Sequence, residues 1–167
     1  PIVVEKDYWT CWVLDRLFSD PLVSEQIMFK GGTTLSKVFG LIERFSEDID
    51  LILNWEMLKE KMGPIEAQRS KTGQDKFNKE SVEVSREYLK EEFHDSVRKA
   101  LGEIVQTKIA DDEPDVIEIT YPRSFRDPYL RPGIRLEIGP LAGWEPNDKF
   151  TITPYAAEAF PDLFSNP

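Results

Sequence analysis

The 167-residue sequence holds a single cysteine, Cys11, and a single histidine, His94. One cysteine excludes an internal disulfide framework and fits a reducing cytosol, so a cytoplasmic location is expected. Between Thr10 and Trp12, in a helical pattern, Cys11 reads as core and not as a nucleophile. No stretch approaches the roughly 18 apolar residues of a membrane span, and no membrane association is expected. The segment PIVVEKDYWTCW lacks a basic-then-apolar run with a small-residue cleavage site, so it is not itself a secretory signal. Positive charge is scarce too. Lys and Arg number 21 against 31 Asp and Glu, a net charge of −10. That excludes a protein whose whole surface grips nucleic acid, while leaving room for a local basic cleft or for a metal ion that supplies the positive charge. Repeats and low-complexity segments are absent.

What remains is a soluble globular balance of 40% hydrophobic and 31% charged residues, enough for one domain with a real core. EKDYWTCWVLDRLF places Tyr8, Trp9, Trp12, Val13, Leu17 and Phe18 at helical offsets, and Ser19-Asp20-Pro21 ends that helix. Ile27, Met28 and Phe29 read as a buried strand running into Gly31-Gly32. Thr33 or Thr34 can cap a helix carrying Leu35, Val38, Phe39 and Ile42, and Ile49 to Leu53 read as a second strand. Residues 56 to 75 are polar and read as helix and loop. A long helix is expected from Lys76 to about Ile109, with Val84, Tyr88, Phe93, Val97, Leu101 and Ile104 or Val105 on one stripe, His94 beside it, and alternating Lys and Glu on a solvated face. VIEITY (116–121) and IRLEI (134–138) alternate as strands, the 123–132 segment is a loop rich in Arg and Pro, and Phe150 to Thr153 can add one more strand.

The chemistry concentrates in FKGGTTLSKVFGLIERFSEDIDLIL (29–53). Asp48 and Asp50 lie two apart on a strand, so both carboxylates project to one side while Ile49 turns into the core. Two like charges held that close call for a positive partner, and Mg²⁺ takes such oxygen ligands together with phosphate oxygens and water. Acidic residues at a strand start are common, and D-x-D alone is a weak signal. The context strengthens it. A glycine turn opening a helix leaves backbone N–H groups facing an anion, with the Thr33 and Thr34 hydroxyls, Lys37, Arg44 and Ser46 near enough to meet phosphate. Neither GxxxxGK[ST] nor GxGxxG is present. If strand 134–138 pairs with strand 49–53, Glu137 becomes a third carboxylate facing Asp48 and Asp50, able to hold divalent ions around a nucleoside triphosphate. A surface Arg135–Glu137 arrangement is the plain competitor.

KGGTTLSK (Lys30 to Lys37) followed by RFSEDIDL (Arg44 to Leu51) resembles the signature of the AbiEii-type nucleotidyltransferases, the toxins of type IV toxin–antitoxin systems in the polymerase-beta-like superfamily. EKDYW (Glu5 to Trp9) and RLEIG (Arg135 to Gly139) match in order and rough spacing, and the likeness is weakest from about 54 to 130. The resemblance implies an α+β fold with a mixed sheet flanked by helices. It implies a triphosphate cradle at Gly31, Gly32, Thr33 and Thr34 with Lys37, Arg44 and Ser46. Asp48 and Asp50 would be Mg²⁺ (or Mn²⁺) ligands, and Glu137 the third carboxylate, a ligand or base. Transfer of a nucleotide to an acceptor, tRNA for some members, and a cognate antitoxin are implied as well, with growth inhibition or phage defence as the outcome. Family members continue into a helical C-terminal region. The chain starts at Pro1 without an initiator methionine and stops at FPDLFSNP, so residues 1–167 are expected to be one nucleotidyltransferase domain in a fragment lacking that region. Two other readings stand beside this one: a nucleotide- or partner-binding module without transfer, and a phosphotransferase using the same metal logic.

Overall fold

A computed structural model describes residues 1–31, 48–54, 56, 58–64, 68–126, 128–139 and 148–163. The chain opens with α1 (Ile2–Ser19) and α2 (Pro21–Ser24). Asp20 separates them: its side chain accepts hydrogen bonds from the Leu22 and Val23 amides at 2.9 and 3.0 Å, and Pro21 opens the second helix where its missing N–H costs nothing. Strands β1 (Ile27–Lys30) and β2 (Asp48–Leu53) follow, then a short α3 (Lys59–Met62) and α4 (Lys71–Tyr88). A π-helical turn (Leu89–Phe93) joins α4 to α5 (His94–Leu101). Strands β3 (Gln106–Ile109), β4 (Val116–Thr120) and β5 (Ile134–Gly139) complete the sheet, and α6 (Tyr155–Ala159) lies against α1.

The strand order is β1-β2-β5-β4-β3. β2 and β5, the inner pair that carries the aspartates and Glu137, run parallel, and the other neighbours are antiparallel. The mixed sheet flanked by helices that the α+β expectation called for is what the chain forms. One sheet face carries Ile49, Leu51 and Leu53 of β2, Ile134, Leu136 and Ile138 of β5, and Ile117 and Ile119 of β4. These join Val13, Leu14 and Leu17 of α1 and Tyr88, Phe93, Val97 and Leu101 of the long helical segment in one buried cluster. Because strand side chains alternate, the residues between them (Asp48, Asp50, Arg135, Glu137 and Glu118) share the opposite face.

The long helix begins at Lys71, five residues before the expected Lys76, and differs from its expected form in two further places. Its apolar stripe steps by four from Val84 to Tyr88, by five to Phe93, then by four to Val97 and Leu101. The π-helical turn takes up the extra residue at that five-step and keeps the stripe on the core. The helix stops at Leu101, not near Ile109, because Gly102 takes a φ of 69°, a left-handed conformation that suits glycine. Val105 is then buried while Ile104 is exposed, and residues 106–109 form the edge strand β3. Phe150 to Thr153 form no strand. Cys11 is buried, as expected, and the ring of His94 meets the Thr107 hydroxyl at 3.0 Å.

The buried face of α1 also differs. Tyr8 and Phe18 are exposed, whereas Lys6 and Asp7 are buried, each about 1% exposed. A buried charge is costly unless its hydrogen-bonding capacity is used. Here Lys6 Nζ donates to the Arg131 carbonyl at 3.1 Å, and Asp7 Oδ2 accepts from the Tyr155 amide at 2.6 Å. Glu5 accepts from the Ser124 and Phe125 amides at 2.6 and 3.2 Å. Three consecutive side chains of the first helix thus hold two downstream segments, the β4–β5 loop at two points and the start of α6.

Candidate active site

The parallel register of β2 and β5 sets the site. Asp48 lies opposite Arg135 and Asp50 opposite Glu137, with Ile49 and Leu136 paired between them and buried. All four polar side chains are partly exposed on the face away from the helical core. On the other side of β2, Lys30 of β1 is the partner of Asp50. Its Nζ reaches to 3.8 Å from where a Cβ on Gly139 would stand, so it spans β2 toward β5. A row of Lys30, Asp50 and Glu137 therefore crosses three strands.

Gly31 follows Lys30 with a φ of 83°, and a Cβ there would overlap the Asp50 carboxylate. Glycine is required twice over, by backbone conformation and by close approach. Of the remaining cradle residues, Gly32, Thr33, Thr34, Lys37, Arg44 and Ser46 lie outside the described residues, as does the helix expected to carry Leu35 to Ile42.

The electrostatics centre on Asp48 and Arg135. Asp48 Oδ1 accepts from Arg131 Nη1 at 3.3 Å and lies 3.9 Å from Arg135 Nε. The second distance is beyond hydrogen-bond reach, and that Nε is buried with no hydrogen-bond partner among the described residues. The other end of Arg135 bonds Glu113 and stands 3.6 Å from Glu137 Oε1. The hydrogen bond from Arg135 holds the Glu113 carboxyl below its ordinary range. Glu137 moves the other way: burial raises it, the charges of Asp48 and Asp50 raise it further, and Arg135 offsets only part. The surface Arg135–Glu137 arrangement is thus present, but as part of a cluster that includes Asp48 and Glu113.

Among the described residues no group of three His, Cys, Asp or Glu side chains is gathered closely enough to hold a metal ion as it stands. The donors nevertheless fit a hard divalent cation in kind, since they are carboxylate oxygens on one face, two of them directly opposite each other. Arg131 and Arg135 meanwhile supply Asp48 with the positive charge such a site demands. Arg131, Lys30 and Glu113 were not singled out from sequence. The Arg-rich 123–132 loop, which places Arg131 four residues before Arg135, was the available signal for Arg131.

With this geometry in view, the comparison with known families decides the class. Residues 12–164 match the model of the nucleotidyl transferase AbiEii toxin family of type IV toxin–antitoxin systems. The chain belongs to that family. For an AbiEii-family chain the implied activity class is nucleotidyl transfer by a toxin, which brings a nucleotide substrate and a cognate antitoxin with it. The match begins inside α1, after the EKDYW segment, and spans every strand of the sheet. No curated protein and no solved structure gives a significant match to the chain. No helix among the described residues is long and apolar enough to cross a membrane.

Proposed function

We propose that this AbiEii-family chain is a metal-dependent nucleotidyltransferase whose catalytic face is formed by Asp48, Asp50 and Glu137. The observation that carries this reading is the register that sets Asp50 against Glu137 and Asp48 one step away on the same face, with the Gly31 backbone packed against Asp50. We read residues 1–167 as one transferase domain working in the cytoplasm, with an acceptor RNA, tRNA first, and with growth inhibition or phage defence as the result.

Asp48 and Asp50, projecting together from the start of β2, would hold Mg²⁺ or Mn²⁺, with Glu137 as the third ligand. Bound there, the ion would polarise the α-phosphate and offset the charge that leaves with pyrophosphate. On this reading Gly31, with Gly32, Thr33 and Thr34 after it in sequence, would offer backbone N–H groups and hydroxyls to the triphosphate, and Lys37, Arg44 and Ser46 would add to that cradle. Glu137, with its carboxyl raised toward neutrality by burial and by the two aspartates, is the carboxylate best suited to take the proton of the acceptor hydroxyl. Arg135 limits that rise and keeps the cluster from repelling itself apart.

The test is to incubate the full-length protein with Mg²⁺, total tRNA and each α-labelled nucleoside triphosphate in turn, beside Asp48→Ala. Label should pass to RNA with one nucleotide preferred, and the variant should lose about two to three orders of magnitude, the scale for removing one transition-state stabilising group. Transfer that survives Asp48→Ala would rule this metal site out.

A further inference from the structure

Two arginines converge on Asp48, and they differ in origin. Arg135 stands on β5 inside the sheet, with its side chain 14% exposed. Arg131 comes from the loop between β4 and β5, and its side chain is 55% exposed. An exposed arginine usually spends its conformational freedom in solvent, and a surface ion pair alone holds it weakly. This one is placed through its backbone. Lys6, buried at the N-terminal end of α1, donates to the Arg131 carbonyl at 3.1 Å, and its neighbour Glu5 ties down the same loop at Ser124 and Phe125. A buried ammonium is an expensive way to make a packing contact. Spending it on the carbonyl of the residue whose guanidinium meets Asp48 links the first helix to the site.

We infer that Arg131 is a triphosphate-binding residue of the transfer site, and that Lys6, together with Glu5, is the positioning group that aims it. The inference rests on the reading of Asp48, Asp50 and Glu137 as the transfer site. In the arrangement seen, the guanidinium neutralises Asp48. A divalent cation held by that carboxylate would take over the neutralising role and leave the guanidinium, whose planar fork matches two phosphate oxygens, available to the triphosphate. Arg131 would then serve phosphate from the same position in the site. Lys30, the β1 partner of Asp50, extends its ammonium across β2 toward Gly139 on β5, so a second cation lies on the same sheet face.

The two roles of Arg131 pull in opposite directions, which gives the test its readout. Full-length wild type, Arg131→Ala, Arg131→Lys, Lys6→Met, Lys6→Arg and the Arg131→Ala/Lys6→Met double variant are titrated calorimetrically. One titration uses Mn²⁺ alone, and the other uses inorganic tripolyphosphate in saturating Mg²⁺, which needs no choice of base. Arg131→Ala should bind Mn²⁺ at least as tightly as wild type and bind tripolyphosphate about tenfold or more weakly, the scale of one lost charge-assisted contact. Arg131→Lys should recover part of that loss. Lys6→Met should weaken tripolyphosphate while leaving Mn²⁺ binding intact, Lys6→Arg should recover part, and the double variant should be no weaker than Arg131→Ala. Glu5→Gln, which leaves the buried lysine in place, carries the same expectation should Lys6→Met fail to fold. Wild-type tripolyphosphate affinity in Arg131→Ala would overturn the inference while leaving the transfer reading standing. Full additivity in the double variant would overturn the positioning role of Lys6. Wild-type protein that binds neither probe would overturn the transfer reading and this inference with it.

Discussion

Two groups of charged side chains in this chain, one wholly buried and one partly exposed, do different work. At the start of α1, Lys6 and Asp7 are almost wholly buried, and each is bonded to a backbone group more than a hundred residues away in sequence. On the outer face of β2 and β5, Asp48, Asp50, Arg135 and Glu137 are partly exposed and interact with one another and with the charged side chains of Arg131 and Glu113. The first group is made of charges committed to geometry. The second is made of charges left in mutual tension, with a raised Glu137 and an Arg135 Nε lacking a hydrogen-bond partner among the described residues as its marks. Burial alone would rank Lys6 and Asp7 ahead of the proposed site. What separates them is whether the partner is a fixed backbone dipole or another titratable side chain.

Removing a committed charge is the largest way to test that contrast in the folded state. Lys6→Met and Asp7→Ala should each cost about 1.5–3 kcal/mol of stability in urea unfolding, the range for a hydrogen bond to a charged group. Neither should change the pH dependence of transfer. Losses below half a kcal/mol would mean that these buried charges hold little.

Gly31→Ala tests the packing of backbone against Asp50. Gly63 also has a positive φ, 73°, with nothing within 4 Å of a Cβ placed there. Gly63→Ala therefore reports the conformational cost alone, about 1 kcal/mol or somewhat more. Gly31→Ala should exceed it and should also depress transfer, because the Asp50 carboxylate must move. Equal stability losses with unchanged transfer would show that the contact with Asp50 carries no weight.

The smallest effect is the pH profile. Glu137 is raised in the fold, so its contribution to stability is fully present below its unfolded value and is lost as pH rises through the folded one. Cation binding has the opposite sign, because a ligand carboxylate must be deprotonated. Mn²⁺ affinity should therefore climb with pH across that raised range, and Glu137→Gln should flatten the climb. A profile unchanged by Glu137→Gln would place the titrating group elsewhere.

Much of the frame was legible because it rests on periodicity. The alternation in IRLEI and the i, i+2 spacing of Asp48 and Asp50 indicate strands with inner and outer faces, and the pairing of β5 with β2, a condition for Glu137 to face the two aspartates, is what the sheet forms. Other features had no such signal. A lysine and an aspartate in EKDYW read as surface, since their buried partners are backbone groups of remote loops that no local pattern announces. The five-residue step between Tyr88 and Phe93 was visible, yet a continuous helix absorbs it only by a π-helical turn. Gly102 ended that helix early, and QTKI was too short and too exposed to stand out as an edge strand. Arg131 was hidden for a similar reason: its importance comes from a carboxylate 83 residues earlier in the chain.

The central claim is that the carboxylates facing each other across β2 and β5 form the cation site of a nucleotidyltransferase. Its most direct test is Mn²⁺ binding, followed by electron paramagnetic resonance in wild type, Asp50→Asn and Glu118→Gln. Glu118 shares the sheet face but is paired with Lys108 at 3.2 Å. Wild type and Glu118→Gln should bind Mn²⁺ alike, and Asp50→Asn should lose it. Equal binding by all three proteins, or loss in Glu118→Gln alone, would contradict the claim.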